Sequence, residues 1–116
     1  MIRAGMYGAG RSKLIYALEN EQEFKTSGSL KGVNSIDTFG QLNEVEIAQL
    51  EADRETFGVR YYVVSYKTPI AWVRNDGKIH LVDQKFSVTT SKHQGMLWHL
   101  NRWCNKWEYQ PYSRAY

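Results

Sequence analysis

Residues 61–82 read YYVVSYKTPIAWVRNDGKIHLV, and their reading decides the fold class. Tyr61 to Tyr66 is a run of aromatic and β-branched residues, a composition that suits a pleated, half-buried surface. Pro69 breaks the run, and Ile70 to Arg74 and Lys78 to Val82 then flank Asn75-Asp76-Gly77. Asp-Gly between two alternating apolar runs is a strong hairpin signal, because both residues tolerate positive φ. The stretch predicts three consecutive antiparallel strands.

Working outward, Asn43-x-x-Glu46 has the form of a helix N-terminus, with Ile47, Leu50, Arg54 and Phe57 on one stripe and Gly58 as the stop. An earlier helix is predicted from Ser12 to about Phe24, with Leu14, Ile15 and Leu18 on its apolar face. Between them, KTSGSLKGVNS (residues 25–35) reads as loop or short hairpin. The glycine-rich residues 1–11 read as a flexible N-terminal segment. Downstream, Ser91-x-x-Gln94 has capping-box form and opens a last helix, whose spacing puts Met96, Leu97, Leu100, Cys104 and Trp107 on one face. The expected fold is α+β: two N-terminal helices, a three-stranded antiparallel sheet with an Asp-Gly hairpin, and a C-terminal amphipathic helix. One domain spans residues 1–116, with its strand-strand-strand-helix core at 57–107. That element order is similar to the order in double-stranded-RNA-binding domains, without a shared motif.

Composition narrows the function classes. The single cysteine, Cys104, excludes an internal disulfide framework and fits a reducing compartment. No apolar run is long enough to span a bilayer and no secretory stretch opens the chain, so no membrane partner is expected. Charge is uneven: residues 1–58 hold six Lys/Arg against nine Asp/Glu, while residues 59–116 hold nine against three. A basic half attracts an acidic partner such as nucleic acid, or docks on the acidic half of its own chain.

The junction at residues 84–95, QKFSVTTSKHQG, concentrates hydroxyls, Lys92 and His93 at a predicted helix start. One reading is capping by Ser91 and Gln94, with His93 packed neutral at the first turn. The other is an anion site, in which Thr90 and Ser91 present helix amides and Lys92 adds charge. Trp98 falls among Asn101, Arg102, Asn105 and Lys106 on the helix wheel, which suits base stacking beside phosphate contacts from Arg102 and Lys106. The competing reading covers Trp98 with the C-terminal tail or the first helix.

Other motifs give less. Gly5 to Ser12, GMYGAGRS, formally matches a phosphate-binding loop with Arg11 in the lysine position, but such a loop needs a preceding strand and a parallel sheet, neither of which the sequence predicts. His80, His93, His99 and Cys104 lack metal-ligand spacing, so no metal and no cofactor is expected. No carboxylate pair supports hydrolysis, and no catalytic residue is assigned. An enzyme using His93 and a neighbouring hydroxyl stays open as a third reading.

The run SYKTPIAWVRNDGKIHLVDQKFSVTTSKHQ, residues 65–94, resembles a small domain family of actinobacterial tailed phages with the pattern SYxTPIAW…DG…SxTTSxHQ. The match rests on Ser65, Tyr66, Thr68, Pro69, Ile70, Ala71, Trp72, Asp76, Gly77, Ser87, Thr89, Thr90, Ser91, His93 and Gln94. The resemblance implies a phage-encoded protein of the bacterial host cytoplasm or the virion, and it brings no catalytic assignment. Together these readings lead to the expectation of a non-enzymatic accessory protein that binds DNA or RNA through Thr90, Ser91, Lys92, His93, Trp98, Arg102 and Lys106. The alternative is a protein-interaction module, acting as an inhibitor of a host factor or a minor virion or assembly component.

Overall fold

The computed structural model describes residues 1–98 and residue 100. Its elements run β1 (Ile2–Ala4), α1 (Gly8–Glu19), β2 (Phe24–Thr26), β3 (Leu30–Val33), α2 (Glu44–Thr56), β4 (Val59–Ser65), β5 (Thr68–Arg74), β6 (Ile79–Leu81) and α3 (Val88–Trp98). All six strands form one sheet in sequence order. β1 pairs parallel to β2, and every other neighbouring pair is antiparallel.

The α+β class with three helices stands, but the sheet corrects the three-stranded antiparallel expectation. β1, β2 and β3 double its width, and β1 makes it mixed. These strands are three or four residues long, too short to establish an alternating pattern. They are stabilised by partners distant in sequence. Residues 2–4, read as a flexible segment, pair with residues 24–26, and KTSGSLKGVNS forms the β2–β3 hairpin.

Strand alternation sorts the core into two layers. Tyr61 and Val63 of β4, Val73 of β5, and Ile79 and Leu81 of β6 face Leu14, Ala17 and Leu18 of α1 and Met96, Leu97 and Trp98 of α3. Tyr62, Val64 and Trp72 face Leu42 and Leu50 on the opposite side, under α2. With helices on both faces and six strands, the likeness in element order to double-stranded-RNA-binding domains goes no further. Gly32 marks a close approach in the first layer, where an added methyl would overlap the Tyr61 hydroxyl and the Phe24 ring.

Local chemistry explains most helix ends. The Asn43 side chain accepts from the Glu46 amide at 2.9 Å, the expected cap of α2. Glu46 does not reach back; its carboxylate meets His80 Nε2 at 2.7 Å and accepts from the Asp83 amide at 3.2 Å. Gly58 closes the helix at φ +78°, its amide donating to the Asp53 and Arg54 carbonyls. The Asn75-Asp76-Gly77 hairpin is present, with only Gly77 at positive φ and its amide donating to the Arg74 carbonyl. That is a three-residue loop with glycine in the left-handed position, rather than a two-residue turn.

Around GMYGAGRS, the strand and parallel partner that the sequence failed to show are both present. Even so, α1 begins at Gly8, leaving only Gly5–Tyr7 as loop. The Gly5 amide donates to the Gly10 carbonyl at 3.0 Å, and a Cβ on Gly10 would stand 2.9 Å from the Gly5 nitrogen. These glycines allow the helix to pack close on the strand.

Candidate nucleic-acid interface

The 84–95 junction is built inward. α3 is capped four residues earlier than expected, at Ser87: its hydroxyl accepts from the Thr90 amide at 3.3 Å, and its carbonyl accepts from the Ser91 amide at 2.9 Å. The expected Ser91–Gln94 capping box is not formed. Gln94 is buried and donates to the Val82 and Gln84 carbonyls at 3.0 and 3.1 Å, tying α3 to the end of β6.

Thr90 and His93 meet Ser65 at the end of β4. Ser65 Oγ lies 2.8 Å from His93 Nδ1 and 3.0 Å from Thr90 Oγ1. A serine against an imidazole resembles a nucleophile with its base, but Ser65 is only 1% exposed, so no substrate carbonyl reaches it. Burial also holds the His93 imidazole below the usual histidine pKa, favouring the neutral ring. The cluster is a polar latch between β4 and α3.

Trp98 is 9% exposed and packs with Met96, Leu97 and Leu100 in the layer that α1 shares. The reading that covers this indole is the one the fold takes, although part of the ring lines an open groove with Ser91, Gln94 and Gly95. Ser91 and Lys92 are exposed on the first turns of α3. Arg102 and Lys106 lie outside the described residues, as do His99, Cys104 and Trp107. Of the five described residues among the seven singled out in sequence, Thr90, His93 and Trp98 are buried, while Ser91 and Lys92 are exposed.

A different cationic surface is assembled by the sheet. Arg3 pairs with Lys25 across β1–β2, Lys25 with Lys31 across β2–β3, and Lys31 with Val64 across β3–β4. Paired residues share a face, so the three cations form one row, on the side of the sheet where Val64 packs beneath the α2 layer. All three are exposed, and among the described residues none makes an ion pair. Glu23, which immediately precedes β2, has its carboxylate accepting from the Asn34 amide at 3.0 Å.

An open groove of about 650 Å³ adjoins the row. Val33 and Val64 line it from the sheet, Ser35 to Thr38 from the loop before α2, and Lys31 and Lys67 add cations. Lys67 is carried by the tight β4–β5 turn, where Tyr66 adopts φ +60°, a conformation rare for bulky residues.

With this geometry in place, comparison with known proteins gives one match: the model of a family of unknown function, DUF8033, fits residues 12–110. The chain belongs to this family. No curated protein and no solved structure matches it. The DUF8033 match runs from within α1 through α3 and takes in the whole 65–94 run and Lys25, Lys31 and Lys67; Arg3 precedes it. Among the described residues no group of His, Cys, Asp and Glu is placed to hold a metal ion, and no helix is long and apolar enough to cross a membrane.

The cationic row escaped sequence reasoning because its members sit at positions 3, 25 and 31, in an N-terminal half whose net charge is negative. One signal was present. In FKT and LKGV a lone lysine stands beside a buried apolar residue, which is how an exposed position on a two-faced strand reads.

Proposed function

We propose that this DUF8033 protein is a phage-encoded, non-enzymatic accessory protein that binds nucleic acid through the open cationic part of its sheet. The single observation behind the reading is the in-register row Arg3–Lys25–Lys31. Like charges set directly opposite each other in a ladder are destabilising, so such a row is understandable where a polyanion neutralises it. Backbone phosphates do so without base-specific chemistry, and the three cations are exposed on one face of the sheet. The likeness of residues 65–94 to actinobacterial phage domains supports the phage origin, with the host cytoplasm or the virion as its place of action.

The test is a titration of labelled oligonucleotides between about 50 and 200 mM salt. Three phosphate contacts on a single strand give a log–log slope of roughly −2, and replacing all three cations by Gln flattens it. Absence of binding at the low-salt end refutes the reading.

A protein-interaction module is the second reading, favoured by the exposed rings of Tyr7, Tyr16 and Tyr66. A protein partner retained from host lysate after nuclease treatment, and lost on Tyr16→Ser, would support it.

A further inference from the structure

We infer that the bound nucleic acid is single-stranded and that the groove beside Lys31 takes one of its bases, guanine in preference to the others. This rests on the nucleic-acid reading above and specifies what its ligand must be. Lys31 belongs both to the cationic row and to the groove lining, so a strand whose phosphates follow the row brings a nucleotide to the groove mouth.

The groove is chemically unlike the row. Its lining includes Val33, Ile36 and Val64 together with one carboxylate, Asp37. A carboxylate repels phosphate, so the backbone is held on Arg3 and Lys25, and the groove suits a flat, largely apolar group that donates N–H. A nucleobase has that character, but in a duplex its donor edge is paired and stacked out of reach. Only an unpaired base enters.

Asp37 then discriminates among the bases. A carboxylate accepts two parallel N–H bonds, and guanine presents N1–H and the N2 amino group side by side. Adenine and cytosine place an unprotonated ring nitrogen on that edge, which the carboxylate repels. Thymine and uracil offer one N–H between two carbonyls. Lys67, on the same groove, supplies a donor for the guanine O6 carbonyl.

Fluorescence anisotropy on the full chain tests this with three probes: a labelled oligothymidylate, the same strand with one central guanine, and the duplex of that strand. The single strands bind more tightly than the duplex, and the guanine raises affinity roughly tenfold, as a bidentate base contact does. In Asp37→Asn the guanine-to-thymine ratio falls toward one. Equal affinity for strand and duplex, or a guanine gain that survives Asp37→Asn, overturns the inference while leaving backbone binding in place. Failure of all three probes to bind at low salt overturns both. Asp37 is an exposed loop residue, so the variant folds, which a circular-dichroism melt verifies.

Discussion

Lys25 and Lys31 stand directly opposite each other across the β2–β3 ladder, two ammonium groups on one face with no carboxylate paired to either among the described residues. An opposed like-charge pair costs stability, by about 0.2–1 kcal/mol. Lys31→Thr removes the repulsion and places a β-branched residue in a strand, so the variant should melt higher than the parent while binding oligonucleotide more weakly. Stability and binding moving in opposite directions identify a ligand-facing pair. A variant that gains stability and keeps full affinity removes Lys31 from the interface.

The acidic centre beneath α2 gives a second prediction. Asp53 is 3% exposed and accepts from Trp72 Nε1 at 2.9 Å and from Gln49 Nε2 at 3.0 Å, with Arg74 Nη1 3.8 Å away. Asp53→Ala strands the buried indole N–H of Trp72, while the Arg74 guanidinium keeps its pairing with Asp76. The expected loss is about 1–3 kcal/mol in urea unfolding. Because this site is far from the cationic row in the sheet order, the slope of oligonucleotide affinity against salt should not change. A loss below about 0.5 kcal/mol, the range of an ordinary surface substitution, would show that the pairing carries no weight.

Ser87 and Ser91 separate two models of how α3 begins. The Ser87 hydroxyl accepts from the Thr90 amide, whereas Ser91 lies exposed within the helix. Ser87→Ala should therefore cost about 0.5–2 kcal/mol, and Ser91→Ala should stay within about 0.5 kcal/mol of the parent. The reverse order would restore Ser91 as the cap.

These cases show which features were legible in the sequence. Long periodic segments were: YYVVSY, the Asp-Gly hairpin and the Asn43 cap all appear in the fold, because each is set by neighbours in the chain. The capping role of the junction was legible in kind but fell on the wrong serine. Ser-x-x-Gln and Ser-x-x-Thr both satisfy the local rule, and Gln94 was claimed by the Val82 and Gln84 carbonyls. The cationic row was not legible, since strand register joins positions 3, 25 and 31 and no local pattern encodes register between distant segments. For Trp98 the sequence left a stacking face and a covered position both open. A helix wheel ranks the faces of one helix, but α1 and α3 share a core layer, and that sharing decides what is buried.

His93 supplies a pH-dependence whose sign follows from its burial. Desolvation lowers its pKa in the folded protein, while in the unfolded chain it titrates near the ordinary value of about 6.5. Below that value the unfolded chain takes up a proton that the folded protein resists, so the unfolded state binds more protons and stability drops as the pH is lowered. The contribution of the neutral ring is complete above about pH 6.5 and declines as pH drops toward the lower folded value. Protonation also makes Nδ1 a donor, leaving only a donor role toward Ser65 Oγ in a latch that Thr90 shares. His93→Gln keeps a side chain able to bond Ser65 but cannot titrate. Urea unfolding from about pH 7.5 to about pH 5.5 should show the parent losing more stability than His93→Gln, whatever their difference at the upper end. The Glu46–His80 contact is common to both proteins and cancels in the comparison. Parallel stability profiles for the two would mean that the proton is accommodated in the folded latch, and the burial argument for His93 would fail.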